Sequence, residues 1–412
     1  MKKVSLMILA GAGTIGLVLI LLVYRATASI EIELVDHHQA GIPGDLISVT
    51  RIGKYPAWVM RLIVGSAGIE GNIEIAHGFT SYRLKYLTTQ FDGSIVEATG
   101  LVAVPNTKDL LSVVVYLHGT NAQRNSAPSS AGSQEGLLVS ALAAGSAHIL
   151  VAPDLIGLGE SYDVHPYLYS ETTVSTSLDF LSASKSWMQS SISGFVWPNS
   201  LFLTGFSQGG HATFALHREL ERQLNPPFTV AASAPVAGPF QLREISLSQA
   251  MTGLTDSHEY YLGYLASAYA QIYNQPIHTL LREPYAGSIP SAFDGSRTVD
   301  EITKVLPELP VDMFTGEFLQ AYRANQPHWF LDALEENSVL NWIPKAPVRI
   351  YYGENDIDVL PQEALEAEEW MRVQGADVTA ISVGPRDHNE SVLYAIPAAI
   401  SWFNELASTK AP

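Results

Sequence analysis

The 412-residue chain contains no cysteine. That excludes disulfides, a thiolate nucleophile, a Cys-ligated zinc site and a lipid-modified N-terminal Cys. An oxidising compartment is compatible with the absence but not required by it. Positive charge is also scarce: 23 Lys and Arg stand against 41 Asp and Glu, for a formal net charge of −18. A nucleic-acid footprint needs basic patches, and none is visible, so no nucleic-acid partner is expected. The acidic surplus reads as a soluble acidic surface rather than a specific partner site. Charged residues make up only 16% of the chain while hydrophobic residues reach 47%. Such a chain can bury one large core or two smaller ones. No internal repeat or low-complexity segment stands out.

One long stretch lacks charge altogether. Lys2 and Lys3 precede VSLMILAGAGTIGLVLILLVY, Val4 to Tyr24. Roughly 20 apolar residues suffice to span a bilayer as a helix, and a cleavable signal core is usually about 7–15 residues long. Ala26-Thr27-Ala28 nevertheless follows as a small-x-small cleavage pattern. Residues 1–28 are therefore expected to be a signal peptide or an N-terminal membrane anchor, with both readings open. Either one places the large domain outside the cytoplasm: secreted, periplasmic, or held at the membrane by residues 4–24 if these are not removed.

Residues 29–80 are mixed. GIPGDLISV (41–49) carries turn signals before a possible short strand, and the segment is expected to pack on the edge of the core. From Ser81 the pattern sharpens. SYRLKYLTTQF and SIVEATGLVAVP alternate around Asp92-Gly93, which reads as a β-hairpin. LLSVVVYLHGT (110–120), HILVAPD (148–154), SLFLTGFS (200–207) and FTVAASAPVAGP (228–239) are continuous apolar runs, the pattern of strands buried on both faces. Helical spacing over 134–145 and 171–190 separates them. The alternation breaks over 240–335, where helical stretches rich in tyrosine suggest an inserted cap, HEYYLGYLASAYAQIY (258–273) being the clearest. It resumes with VRIYYG (348–353), a helix over 362–375, DVTAISV (377–383) and a helix over 391–406. The expectation is an α/β fold: a mostly parallel sheet with helices on both faces, its core supplied by 81–239 and 336–412.

Ligand and catalytic groups of such a sheet gather at the carboxyl ends of its strands. Ser207 lies there in GFSQGGH, bracketed by Gly205, Gly209 and Gly210 between a strand and a helix. A serine hydroxyl is a weak nucleophile and needs an adjacent base. His388 follows the last strand in GPRDHNES, and histidine suits general acid–base work near neutral pH. Asp356 follows VRIYYG in GENDIDVLP and is the preferred carboxylate to orient that imidazole, with Glu354 and Asp358 as rivals. An oxyanion hole needs two backbone N–H groups. Gln208, directly after the serine, is one candidate donor. Thr120 in His118-Gly119-Thr120-Asn121 is the other, with Asn121 as its rival.

The order Ser, Asp, His, each after its own strand and with His-Gly upstream, resembles the α/β-hydrolase superfamily. ATGLVAVP, VVYLHGT, APDLIGLGES, HPYL, GFSQGGHATFALHRELE and the tyrosine-rich insert resemble its secretory-lipase branch, over roughly Ser81 to Leu406. The resemblance implies carboxyl-ester hydrolysis through Ser207, Asp356 and His388, Gln208 as a hole donor, and a helical lid after the sixth strand. It implies no cofactor. Fungal members of the branch are disulfide-bonded, so their loop geometry does not transfer to a chain without cysteine.

Other residues carry blander readings. Asp154 in APDLIGLGES reads as a loop carboxylate capping backbone N–H groups. His211 is expected to face away from Ser207 or to pack beneath it. His37-His38 lacks any helical metal-ligand spacing, and no metal is expected. Tyr260, Tyr261, Tyr264, Tyr269 and Tyr273 fall mostly on one helical side. They either pack the insert onto the core or line an acyl pocket under a lid. The expected activity is a serine carboxyl-ester hydrolase acting on lipidic or medium-chain esters. A serine exopeptidase on the same fold, or a binding protein that kept the fold without catalysis, is the alternative.

Overall fold

The computed structural model describes residues 31–34, 41–69, 73–110, 112–192, 195–198, 200–255 and 257–409. The signal-or-anchor segment and His37-His38 lie outside them. Ten strands form one sheet: β1 (Glu31–Leu34), β2 (Leu46–Tyr55), β3 (Phe79–Thr89), β4 (Ile95–Pro105), β5 (Val113–Leu117), β6 (Ile149–Pro153), β7 (Ser200–Phe206), β8 (Thr229–Val236), β9 (Val348–Tyr352) and β10 (Val378–Ser382). Their spatial order is β1-β2-β3-β4-β6-β5-β7-β8-β9-β10. The six strands from β6 to β10 run parallel. The four before them are joined antiparallel, and β4 meets β6 antiparallel.

The central strands read as continuous apolar runs because both of their faces are covered. Every residue of β5 and β6 is buried. Period-2 alternation then sorts their side chains. Val114 and Tyr116 pack with the helices Gln134–Gly145 and His388–Thr409, where Phe403 stacks on Phe202 at 4.6 Å. Val113, Val115 and Leu117 pack on the opposite face with Phe180 of Ser170–Ser191 and Leu216 of Gln208–Arg222. Burying one such side chain contributes about 1.5–3 kcal/mol.

Two elements differ from the sequence reading. The possible short strand after GIPGD is the ten-residue β2, followed by an unanticipated helix, Ala57–Ser66. β2 belongs to the sheet because each of its neighbours supplies an antiparallel partner. The alternating antiparallel order also sets direction. The carboxyl end of β2, and with it the start of Ala57–Ser66, lies opposite the carboxyl ends of the six parallel strands. The amino end of β1 lies there too, because Glu31 pairs with Arg51.

Between β8 and β9 the chain is helical. The elements include His258–Ile272, Tyr285–Ala292, Val299–Thr303, Gly316–Arg323 and Trp329–Glu336. They hold a separate apolar cluster, which takes Ala122, Tyr167 and Leu168 from the core loops. Glu363 on the helix Pro361–Val373 fastens the entry to this cap. It accepts the N–H of Phe240 at 3.0 Å and of Gln241 at 2.9 Å, and the Ser246 hydroxyl at 2.6 Å. Among the described residues no helix is long and apolar enough to cross a membrane.

Candidate active site

The glycines around Ser207 are required by contact. A Cβ on Gly209 would sit 1.8 Å from the Leu117 carbonyl oxygen, and one on Gly205 would sit 2.5 Å from the same atom. A Cβ on Gly210 would meet Gly238 and the Val236 carbonyl oxygen at 2.8 Å. The helix Gln208–Arg222 is thus pressed onto β5 and β8 as closely as backbone permits. Ser207 turns the chain between strand and helix at φ 57°, ψ −115°, a left-handed conformation that is costly for a residue with a Cβ. It is held there by its own N–H to Val236 O at 2.9 Å and by its carbonyl, which accepts from Gly210 at 2.8 Å.

His388 and Asp356 arrive from the ends of β10 and β9. The Ser207 hydroxyl lies 2.9 Å from His388 Nε2, and His388 Nδ1 lies 2.7 Å from Asp356 Oδ2. The carboxylate can only accept, so Nδ1 carries the hydrogen and Nε2 is left to accept from the serine. Asp356 Oδ1 is turned away and accepts the N–H of Asp358 at 3.0 Å and of Val359 at 2.8 Å. His388 packs against the Phe206 ring, centroids 4.7 Å apart. It begins the helix His388–Thr409 instead of preceding it by a few residues as the sequence suggested. Burial opposes a charge on His388. The Asp356 carboxylate outweighs that effect, helped by Asp358 and Asp387, and the pKa is raised above the ordinary histidine value.

The two rival acids do other things. Glu354 accepts the Ser382 hydroxyl at 2.7 Å and ties the β9 and β10 loops together. Asp358 accepts from Thr255 Oγ1 at 2.5 Å, a contact with the cap. Two residues of spacing decide the difference: only Asp356 combines full burial with a line to the imidazole.

Leu117 at the end of β5 pairs with Gly205, which sets the loop His118–Asn121 beside Ser207. Two tyrosines grip that loop. The Thr120 hydroxyl lies 2.8 Å from the Tyr167 hydroxyl, and Tyr264 from the cap donates to the Asn121 carbonyl at 3.1 Å. Their rings stack at 4.4 Å and 8°, and Phe293 continues the stack on Tyr264 at 4.6 Å. Gln208 opens its helix, so its N–H has no partner one turn back within that helix.

The sequence reading quoted His165 and Tyr167 only within HPYL and gave neither a role. His165 Nδ1 donates to Ile156 O at 2.7 Å, and its Nε2 accepts from the Gln208 side-chain amide at 2.9 Å. Burial lowers its pKa to about 4, so the ring stays neutral and keeps that acceptor. The available signal was its place in the loop after β6, at the same end of the sheet as His388.

Asp154 accepts from Ser129 N at 2.8 Å and Thr99 Oγ1 at 2.6 Å, deep beneath the loops. His211 points away from Ser207 and lies 2.7 Å from Asn337 O, its pKa lowered by burial to about 4. Among the described residues no three His, Asp or Glu side chains are grouped as a metal site requires.

No protein-family model matches this chain, and neither does any curated protein. Solved structures do. A protein of Legionella pneumophila superposes with a TM-score of 0.81 at 24% identity, over 89% of this chain and 99% of its own. The rice cell wall degrading esterase LipA from Xanthomonas oryzae gives 0.75 at 22%, over 90% of this chain and 98% of its own. Candida antarctica lipase A gives 0.66 at 15%, over 90% and 83%.

Proposed function

From the α/β-hydrolase fold of this chain as premise, we propose that it is a serine carboxyl-ester hydrolase working through an acyl-enzyme. The observation that carries the reading is the unbroken line Ser207 Oγ, His388 Nε2, His388 Nδ1, Asp356 Oδ2, with steps of 2.9 and 2.7 Å. As Ser207 Oγ attacks the ester carbonyl carbon, His388 Nε2 takes its proton. Asp356 holds the imidazole in the required tautomer and stabilises the imidazolium that forms. The N–H groups of Gln208 and Thr120 receive the oxyanion, at the positive end of the helix Gln208–Arg222. His388 returns the proton to the departing alcohol. Water, activated by the same Nε2, then releases the acid.

We assign the acyl group to the cap side of the site, where Tyr264 reaches the loop His118–Asn121. The large inserted cap and its apolar content favour lipidic or medium-chain esters. The esterase and lipase among the structural neighbours support this choice of bond.

The test is hydrolysis of nitrophenyl esters of graded chain length by wild type and Ser207→Ala. Turnover should fall by about 10⁶-fold in the variant, since the members of such a unit act together. Wild type that is inactive on every ester but cleaves aminoacyl amides would replace the reading with an exopeptidase. Inactivity on both would leave a binding role.

A further inference from the structure

The helix Ala57–Ser66 is apolar apart from Arg61 and its last residue, Ser66. Val59, Met60, Ile63 and Val64 face the core cluster. A surface helix normally presents polar residues outward. Here the outward positions include Trp58, 57% exposed, and four residues later Leu62, 64% exposed. Single exposed apolar residues are commonplace. A Trp and a Leu one turn apart on a helix without any acidic residue are a patch.

Three further facts converge on it. Residues 46–69 contain Arg51, Lys54 and Arg61 and no Asp or Glu, in a chain of net charge −18. Lys54 is exposed beside the helix, and Arg61 on it is exposed while its Nη1 donates to Ile75 O at 2.7 Å. The chain also enters the sheet at this place. Glu31 pairs with Arg51, so the amino end of β1 lies at the end of the sheet where Ala57–Ser66 begins. Only six residues separate Tyr24, the end of the uncharged run from Val4, from Glu31.

We infer that the helix Ala57–Ser66 is a membrane-docking face, seated on the bilayer that takes up residues 4–24. Trp58 and Leu62 enter the headgroup–acyl boundary, where an amphipathic aromatic ring is favoured. Lys54 and Arg61 meet anionic headgroups, each such contact drawing on the negative surface potential. The strand directions give the docked molecule a definite stance. Ser207, Asp356 and His388 lie at the opposite end of the sheet, so the site faces away from the host bilayer. Substrate then reaches it from the aqueous side. This orientation is independent of the ester reading: it concerns how the fold is seated, whatever bond is cleaved.

The absence of cysteine makes the test direct. Full-length chain, verified intact by mass, is reconstituted into vesicles of phosphatidylcholine and phosphatidylglycerol. A single environment-sensitive label is placed by Trp58→Cys, Leu62→Cys or, on the cap, Leu254→Cys, which replaces an exposed side chain. Labels at 58 and 62 should shift to the blue, be quenched by nitroxide lipids and resist aqueous iodide. The label at 254 should do the reverse. Equal iodide access at 62 and 254, or failure of the intact chain to bind vesicles, overturns the inference. So does a label at 62 that is shielded from iodide yet unquenched by lipid, which would mean that protein covers the helix. Circular dichroism and the melting temperature of each labelled variant check that it is folded, and neither depends on the activity assigned.

Discussion

At the carboxyl end of the parallel strands Ser207, Asp356 and His388 are 6%, 1% and 3% exposed; at the other end Trp58 and Leu62 are 57% and 64% exposed. Polar groups are buried at one end and apolar groups face outward at the other. Each arrangement costs free energy if nothing answers it. A buried carboxylate or imidazole must find partners, and here each does, at 2.7 to 3.0 Å. Among the described residues Trp58 and Leu62 stay largely uncovered, and the docking inferred above would answer them with a bilayer surface. Both ends teach the same lesson: side chains in the wrong environment for folding alone mark where function resides.

The contrast is tested most severely at Asp356. Asp356→Asn keeps the shape but removes the charge that fixes the Nδ1–H tautomer. Turnover is expected to fall by about 10⁴-fold. The pH profile should change as well. His388 must be neutral to take the serine proton, and its pKa is raised chiefly by Asp356 against the effect of burial. The acid limb of kcat/KM for wild type should therefore lie above the ordinary histidine value and shift downward in the variant. A limb that does not move would detach His388 from the reaction.

A smaller effect is expected at Glu363, which sits behind the site and fastens the cap. Burial raises its pKa to about 7. Between the unfolded carboxylate value and about pH 7 the folded protein holds a proton that the unfolded chain has lost. Stability should therefore decline as pH rises across that window, by up to about 1.4 kcal/mol per pH unit, and level off above it. In Glu363→Gln the amide does not titrate, so the decline should flatten. Denaturant melts at several pH values read this directly, and equal slopes in the two proteins would refute it.

The smallest effect belongs to the opposite end. Leu62→Ser removes an exposed side chain from the far side of the molecule. Soluble-ester turnover should be unchanged and stability within about 0.5 kcal/mol of wild type. A loss of several kcal/mol would show that Leu62 is buried against protein and would erase the contrast.

Much of this molecule is local in origin. Continuous apolar runs specify two-sided strands, and GFSQGG specifies a turn that only glycines allow, because backbone from β5 and β8 crosses within a methyl group's reach. Periodicity also places Ser207, Asp356 and His388 after β7, β9 and β10, while their roles came from the resemblance to the α/β-hydrolase superfamily. What the sequence could not decide is direction and facing. Glu354, Asp356 and Asp358 are alike as residues. The loop fold that turns one carboxylate to the imidazole, and hands the others to Ser382 and the cap, depends on β10 and on Thr255, over 20 and about 100 residues away in the chain. The grip of Tyr167 and Tyr264 on the Thr120 loop joins three distant segments in the same way. Most plainly, nothing in the sequence reading marked Trp58 or Leu62 as facing outward. Only the packing of one face of their helix on the sheet, with the antiparallel order of β1 to β4, leaves the other face outward and sets it opposite the site.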